Sequence, residues 1–235
     1  MPFANREIRS ASWSQRPFEG ERFDRVRFAS SDLSRCAFRD CSFIATVFEA
    51  CDLSKTLFEG CRIEGLAFRE CDLGRSSWAF CTARELEWAE SSLAHAGVRE
   101  CLLPDLAIRA CDLNRTLFED AMLEGARMAG VLGPGARFLR SNLLEAVLEG
   151  CRFRRGEFAG GLWDLSRMDD CDLRRASFSE VKAAGVRWER LLLEEASFHD
   201  TTLAGTVEAA DVNPAGPGLV YIPDGLRNGD PLPGR

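Results

Sequence analysis

Residues 51–75 are CDLSK TLFEG CRIEG LAFRE CDLGR when they are divided into blocks of five. The third residue of each block is large and apolar, the first is small or apolar, and the other three are mostly polar. The same phase runs from Phe3 to Leu203, and only three of these third residues are small: Ala83, Gly133 and Ala183. A period of five does not match the 3.6 residues of a helical turn, whereas residues two apart share one face of an extended segment. The sequence therefore predicts very short strands separated by corners.

A second, longer period becomes visible when the chain is aligned in rows of twenty residues. We number the positions of each row from 1 to 20, so that Phe18, Phe38 and Phe58 share position 18. Position 13 is mostly Leu, and position 12 repeatedly carries Asp. Four blocks of five per coil predict an all-β, four-sided parallel β-helix of nine to ten coils, stacked about 4.8 Å apart.

Many blocks begin with a small residue, then Asp or Asn, then Leu, as in Cys71-Asp72-Leu73, Ser141-Asn142-Leu143 and Cys171-Asp172-Leu173. In this motif the chain resembles the pentapeptide-repeat proteins, over about residues 16–206. The resemblance implies a right-handed quadrilateral parallel β-helix, which is the fold of that family.

The two ends of the chain are expected to differ from the repeats. Residues 1–15 keep the phase weakly and are predicted to form an N-terminal cap, because a stack of coils exposes backbone edges at its ends. Residues 16–206 are predicted to form the β-helix, and residues 207–235 a Pro- and Gly-rich C-terminal tail. The tail contains a short apolar run that is interpreted either as a strap over the last coil or as a homodimer contact: Leu219, Val220, Tyr221 and Ile222.

Two stretches interrupt the regular pattern inside the repeats. Gly133-Pro134-Gly135 removes one core side chain, and Leu103-Pro104-Asp105 places a proline at a corner. Proline cannot donate a backbone hydrogen bond to a neighbouring strand. Each stretch is interpreted either as a tolerated corner variant or as a point where the rod bends or a loop projects.

All ten cysteines lie at the first position of a block, two residues before the central apolar residue. The same position elsewhere often holds Ala, Ser, Thr or Val, which indicates that cysteine serves as a small buried side chain. No CxxC pair is present, so a zinc site or a disulfide framework is the less favoured alternative.

The formal net charge is −7 and the pI is about 5.1, which argues against direct binding to nucleic acid or to an acidic membrane. No stretch of about 18 apolar residues is present, and the N-terminus lacks the apolar core of a signal peptide. We therefore expect a cytoplasmic protein. The two histidines, His95 and His199, lie on unrelated columns without a matching nucleophile and acid, so we predict neither an enzyme nor a bound cofactor or metal.

Acidic residues collect on two neighbouring edges of the predicted rod, on either side of the face at positions 1–3. One edge carries Glu19, Asp40, Glu59, Glu100, Glu119 and Asp120, and the other carries Asp24, Glu64, Glu85, Asp105, Glu124 and Glu145. We call these twelve residues the acidic strip. Two rows of carboxylates along a rod approach the charge spacing of duplex DNA, about one charge per 1.7 Å. The strip is therefore predicted to mimic DNA towards a basic protein, and ordinary solvation of the surface is the alternative explanation.

Basic residues dominate the edge at position 15, which carries Arg35, Lys55, Arg75, Arg115, Arg155 and Arg175, with Arg154 and Arg174 beside them. The bases at position 15 follow the Asp column at position 12 by three residues. The spacing predicts a lattice of salt bridges between the two columns.

Runs of the form Phe-x-x-Cys-x-Phe/Leu, such as Phe38 to Phe43 and Phe48 to Leu53, resemble the Qnr-type branch of the pentapeptide-repeat family. That branch, together with the albicidin and microcin self-resistance proteins, engages DNA gyrase. The resemblance implies DNA gyrase or topoisomerase IV as the partner, and resistance to an antibiotic, such as a quinolone, that targets it. An interaction scaffold with a non-topoisomerase partner is the alternative.

Overall fold

The protein is a four-sided rod of about ten coils. The computed structural model describes residues 3–209 and 219–223, and all regular elements in these ranges are strands. Consecutive coils pair in parallel with a register of twenty residues, which places Phe3 opposite Phe23 and Phe23 opposite Phe43. The predicted all-β parallel β-helix is therefore confirmed. Within the described part of the chain, no helix is long and apolar enough to span a membrane.

The faces at positions 1–3 and 6–8 together form one sheet of twelve strands. Strand numbers follow the chain and run through both sheets of the rod. The strands of this first sheet are β1 (Phe3–Arg9), β3 (Arg22–Ala29), β5 (Ser42–Glu49), β7 (Arg62–Arg69), β9 (Thr82–Ala89), β11 (Ala107–Arg109), β13 (Arg127–Ala129), β15 (Val147–Glu149), β17 (Arg167–Asp169), β19 (Lys182–Leu191), β21 (Thr201–Ala209) and β22 (Leu219–Pro223). They are hydrogen-bonded in this order.

Ten three-residue strands form the second sheet on the face at positions 16–18. They are β2 (Pro17–Glu19), β4 (Ala37–Arg39), β6 (Leu57–Glu59), β8 (Ser77–Ala79), β10 (Gly97–Arg99), β12 (Leu117–Glu119), β14 (Arg137–Leu139), β16 (Glu157–Ala159), β18 (Ser177–Ser179) and β20 (Ser197–His199). On the remaining face, single bridges at position 12 join the coils, as between Asp32 and Asp52.

The corners between faces accommodate Pro104 and Pro134. At the corner that contains Pro134, the N–H of Ala136 donates to the C=O of Gly133 over 3.0 Å, and Gly135 has a φ of 68°. Proline in second place and positive φ in third place are typical of a type II turn. Pro104 occupies the equivalent place in its own turn. Both prolines therefore fit regular corners, and neither stretch projects a loop.

Side chains at positions 3, 8, 13 and 18 point inward and fill the rod. Phenylalanine rings stack between coils, with ring centroids 5.0 Å apart for Phe23 and Phe43. Burial of each ring contributes roughly 1.5–3 kcal/mol, and paired rings add about 0.5–1.5 kcal/mol. The small Ala83 lies in the chain between Trp78 and Trp88, whose rings meet edge to face at 5.5 Å. Large and small side chains thus share one coil, which keeps the interior filled.

The ten cysteines are buried and unpaired, as the sequence predicts. The thiol of Cys61 donates to the C=O of Phe38, in the preceding coil, over 3.4 Å. Thr201, at the same position of a later coil, donates to the C=O of Phe178 over 3.2 Å. A cysteine at this position therefore fills a small core space and satisfies a backbone carbonyl. Among the described residues, no group of three or more His, Cys, Asp or Glu side chains is arranged to hold a metal ion.

The first coil is continuous with the others. Strand β1 pairs with β3 in the regular register, so residues 3–15 belong to the first coil, and their role as an N-terminal cap stays a prediction. Two arginines cover the end of the core. The guanidinium of Arg6 lies 4.6 Å from the ring centre of Phe3, and that of Arg16 lies 4.8 Å from the ring centre of Trp13. Cation–π contacts therefore cap the aromatic core at this end.

The repeat shifts by one residue in strand β21. This strand pairs with β19 in the register of twenty up to Ala204, after which Gly205 lies opposite Val186. The shift brings Val207 opposite Trp188, and the strand continues past residue 206 to its end at 209. Strand β22 adds in parallel to β21 as the last strand of its sheet.

Candidate functional site

The edges of the rod display rows of charged side chains. Adjacent coils lie about 4.8 Å apart, so residues at one position in successive coils form a row with that spacing. The edges at positions 4–5 and 14–15 are diagonally opposite in a four-sided coil. The rows on these two edges have opposite charge.

Five carboxylates of the acidic strip form an unbroken row at positions 4–5. Glu64, Glu85, Asp105, Glu124 and Glu145 belong to five successive coils, and all five are exposed. None of the ion pairs among residues 3–209 includes any of them. We call this row the acidic edge.

Glycine at position 5 lets the carboxylates lie along the acidic edge. A Cβ on Gly125 would lie 2.6 Å from Oδ1 of Asp105, and one on Gly65 would lie 3.7 Å from Oε2 of Glu85. These carboxylates therefore extend over the backbone of a neighbouring coil. Arg84, which lies opposite Glu64 in the next coil, is the one base at positions 4–5 within the row.

In the other half of the acidic strip, at positions 19–20, three of the six carboxylates are paired with arginine. Arg39 donates to Glu59 over 3.1 Å, and Arg140 donates to Asp120 over 2.8 Å and to Glu119 over 2.7 Å. These hydrogen bonds from Arg140 hold the pKa values of Glu119 and Asp120 below their usual range. Glu59, Glu119 and Asp120 are thus engaged within the protein.

The remaining members of the acidic strip lie apart from the acidic edge. Asp24 accepts a hydrogen bond from Arg22 over 3.1 Å. Glu19 and Asp40 lie in the first two coils, and Glu100 lies three coils further along. The twelve predicted residues therefore do not form one continuous acidic surface, and the structure brings together only the five of the acidic edge.

Among residues 3–209, the predicted lattice of salt bridges around the Asp column is present at Asp172, which pairs with Arg154 and Arg174, and is absent at the other four aspartates. Asp52 accepts the backbone N–H of Ser54 over 2.8 Å, and Asp72 accepts that of Gly74 over 2.7 Å. Aspartate that binds the N–H two residues later forms an Asx turn, which holds the corner. The carboxylates at position 12 are thus directed to their own corner and not to the bases at position 15.

The bases opposite the acidic edge are left without acidic partners. Among residues 3–209, the position-15 side chains that are exposed and form no ion pair are Arg35, Lys55, Arg75, Arg115 and Arg155. We call this row the basic edge. Arg175, at the same position, pairs with Glu195 over 2.9 Å. The rod therefore carries an acidic row and a basic row on opposite edges.

Three exposed apolar side chains lie beside the acidic edge, and sequence patterns did not single them out. They occupy position 2, on the outer side of the face next to the acidic edge: Leu102, Met122 and Leu162. Their exposed fractions are 48%, 43% and 55%. Other coils carry a polar residue there, such as Arg62, so the exchange of polar for apolar residues was a signal available in the sequence.

The apolar run of the tail lies at the C-terminal end of the large sheet. The backbone of β22 pairs with β21 and so covers one edge of the last coil. This strand contains the residues expected to strap the coil or to dimerise: Leu219, Val220, Tyr221 and Ile222.

Two family models match the repeated part of the chain. The model of the pentapeptide repeat region matches residues 31–108, and the model of pentapeptide repeats in eight copies matches residues 171–207. The chain is a pentapeptide-repeat protein. Up to Ala204, both matched stretches lie in coils that pair with the register of twenty, so the pentapeptide repeats are the units that build the rod. No curated protein matches the sequence.

Two solved structures that match this chain are HetL and QnrB1. HetL from the cyanobacterium Nostoc sp. strain PCC 7120, involved in heterocyst differentiation regulation, has a TM-score of 0.61 at 18% identity, over 86% of this chain and 88% of HetL. A trypsin-treated form of QnrB1, a plasmid-mediated fluoroquinolone resistance protein, has a TM-score of 0.30 at 16% identity, over 81% of this chain and 91% of that one. The likeness to HetL concerns the fold.

Proposed function

We propose that this pentapeptide-repeat protein is a cytoplasmic, non-catalytic protein whose acidic edge binds the basic DNA-gripping surface of DNA gyrase or topoisomerase IV. In this role it confers resistance to an antibiotic that targets the topoisomerase. The observation that carries the proposal is the row of five exposed carboxylates without cationic partners, on five successive coils. The choice of partner rests on the resemblance of the sequence to Qnr-type proteins.

The spacing of the acidic edge suits a surface that grips a nucleic-acid backbone. One carboxylate per coil places a negative charge about every 4.8 Å, against about 3.4 Å between phosphates along one DNA strand. The repeats hold these charges in a straight row, because each coil is hydrogen-bonded to the next. A row of unpaired charge also accelerates encounter with a basic partner through long-range attraction.

A supercoiling assay with purified DNA gyrase, with and without a quinolone, tests the proposal. We expect the protein, at micromolar concentration, to change the rate of supercoiling by gyrase or to relieve the inhibition of gyrase by the quinolone. The triple variant Glu85→Lys, Glu124→Lys and Glu145→Lys should lose most of this effect, because it reverses charge without removing an ion pair.

The matched control reverses the same number of unpaired charges on the basic edge. The triple variant Arg35→Glu, Lys55→Glu and Arg75→Glu should keep the full effect. The absence of any effect of the unmodified protein on gyrase or topoisomerase IV would reject both partners. Equal losses in the two triple variants would reject the acidic edge as the contact.

A scaffold with a non-topoisomerase partner is the second candidate, and the exposed apolar residues favour it. Leu102 and Met122 flank the acidic edge near Asp105 and Glu124, in coils that carry no base at positions 1–5. Protein–protein contacts combine an apolar centre with a charged rim. Under this alternative, Leu102→Ser with Met122→Ser should abolish partner capture in a cell extract, while any effect on purified gyrase stays unchanged.

A further inference from the structure

An arginine-lined groove lies beside the Gly133-Pro134-Gly135 stretch. The groove has a volume of about 430 Å³ and is lined by Pro134, Arg154, Arg155, Arg174, Arg175 and Glu194. Four guanidinium groups thus face one carboxylate, in a protein whose formal net charge is −7. Gly135 replaces the base that most other coils carry at position 15, so no long side chain is present at this corner.

A buried carboxylate holds two of these arginines in place. Asp172 is only 7% exposed, and its Oδ2 accepts a hydrogen bond from Nε of Arg154 over 2.6 Å. Its Oδ1 accepts one from Nε of Arg174 over 2.9 Å. Because Asp172 engages Arg154 through Nε, both terminal amino groups of that guanidinium are available to a ligand. A guanidinium fixed in advance loses less entropy when it binds an anion.

The charge of the groove is not balanced from within the chain. Arg155 is exposed and forms no ion pair among residues 3–209. Asp172 neutralises only one of the two arginines that it contacts, and Arg175 shares its charge with Glu195 at 2.9 Å. An anion with several oxygen acceptors would fit between these donors, because planar guanidinium groups bind phosphate through paired hydrogen bonds.

An apolar recess adjoins the arginine groove. It has a volume of about 360 Å³ and is lined by Leu132, Pro134, Arg152 and Arg154, so it shares two residues with the groove. Leu132 is an apolar residue at position 12, which carries Asp in most other coils, and its side chain is 47% exposed. The combination of an apolar surface and a few convergent polar groups is typical of a small-molecule site.

We propose that the groove and the recess together form a binding site for a small phosphate ester that carries a flat apolar or aromatic group. The phosphate accepts hydrogen bonds from Arg154, Arg155 and Arg174. The aromatic group packs on Leu132 and Pro134. A nucleoside monophosphate has this chemistry.

Calorimetric titration of the full chain with AMP, adenosine and inorganic phosphate tests the site. We expect AMP to bind at least tenfold more tightly than adenosine or phosphate, because only AMP fills both the groove and the recess. Arg155→Glu should weaken AMP binding at least tenfold. Leu132→Ser should weaken AMP binding about threefold and leave phosphate binding unchanged.

Arg75→Glu is the matched control, because Arg75 occupies position 15, is exposed and forms no ion pair among residues 3–209. It should change AMP affinity less than twofold. Equal losses in Arg75→Glu and Arg155→Glu would overturn the site in favour of diffuse attraction by the basic edge. Phosphate binding as tight as AMP binding, tighter binding of duplex DNA, or no binding of AMP at millimolar concentration would each overturn it as well.

Discussion

The ring of Phe153 occupies the core space beside Gly133. Gly133 holds the same position as Phe153, one coil earlier in the chain. A Cβ on Gly133 would lie 2.6 Å from Cε1 of this ring. Both residues occupy position 13, where leucine is usual, as at Leu113 and Leu173. A glycine and a phenylalanine in successive coils thus replace two leucines, and the interior stays filled.

Gly133→Leu is therefore expected to destabilise the protein, because the new side chain overlaps the ring of Phe153. Overpacking of this kind costs about 1–3 kcal/mol of unfolding free energy. Adding Phe153→Leu should restore two leucines in the column and recover at least about 1 kcal/mol, since contacting residues are coupled. Urea unfolding of the two single variants and the double variant measures this. Additive losses would show that the two residues do not compensate each other.

The Asp column is expected to stabilise corners through a hydrogen bond, not through charge. Asp52→Ala removes the acceptor for the N–H of Ser54, at a cost of roughly 0.5–1 kcal/mol, because the corner is exposed and water replaces part of the bond. Asp52→Asn should be close to neutral. Asn142 already plays this part at position 2 of a coil, where its Oδ1 accepts the N–H of Leu144 over 2.9 Å. Chemical unfolding measures the unfolding free energy of both variants. If Asp52→Asn loses as much stability as Asp52→Ala, the contribution of Asp52 comes from its charge.

The core could be predicted from the sequence because each of its side chains repeats at a fixed interval. Phe18, Phe38 and Phe58 share a column in the sequence and stack in the structure, and ring centroids of the last two lie 5.0 Å apart. Coil number and strand register follow directly, since a register of twenty aligns equal residues. The shift at Gly205 was not predicted, because removal of one residue leaves no signal in composition or charge.

The candidate site was predicted only in part, because the net charge of an edge says nothing about pairing. Arg39 and Glu59 share position 19 in successive coils and form an ion pair, as do Arg99 and Glu119. Opposite charges twenty residues apart are cross-strand neighbours in this fold, so these pairs were available from the sequence. An acidic residue stays unpaired where that neighbour is missing, as beside Glu124.

Burial of the thiols predicts a loss of stability at alkaline pH. Burial raises the pKa of Cys111 to about 11, against about 8.5 for an unfolded thiol. The folded state therefore keeps its proton where the unfolded state has lost it, so the stabilisation is complete below about pH 8.5 and falls as pH rises towards 11.

For one thiol this loss approaches about 1.4 kcal/mol per pH unit within that window. Cys111→Ala should show a shallower decline between pH 8.5 and 10.5 than the unmodified protein, in urea unfolding under reducing conditions. Parallel declines in the two proteins would mean that Cys111 titrates equally in the folded and unfolded states.

Gly205 is expected to be the residue that the C-terminal coil tolerates least well as alanine. Its φ is 140°, and a Cβ there would lie 2.2 Å from the carbonyl oxygen of Val186, a backbone atom that cannot turn aside. Gly205→Ala should therefore open the pairing of β21 with β19 and raise amide hydrogen exchange at 201–209. Exchange in the first coils should not change, because a repeat contacts only its neighbours. Gly20→Ala is the control, because a Cβ at Gly20 meets nothing within 4 Å and only the cost of its φ of 63° remains. If both variants exchange alike at 201–209, the contact with Val186 does not fix the shifted register.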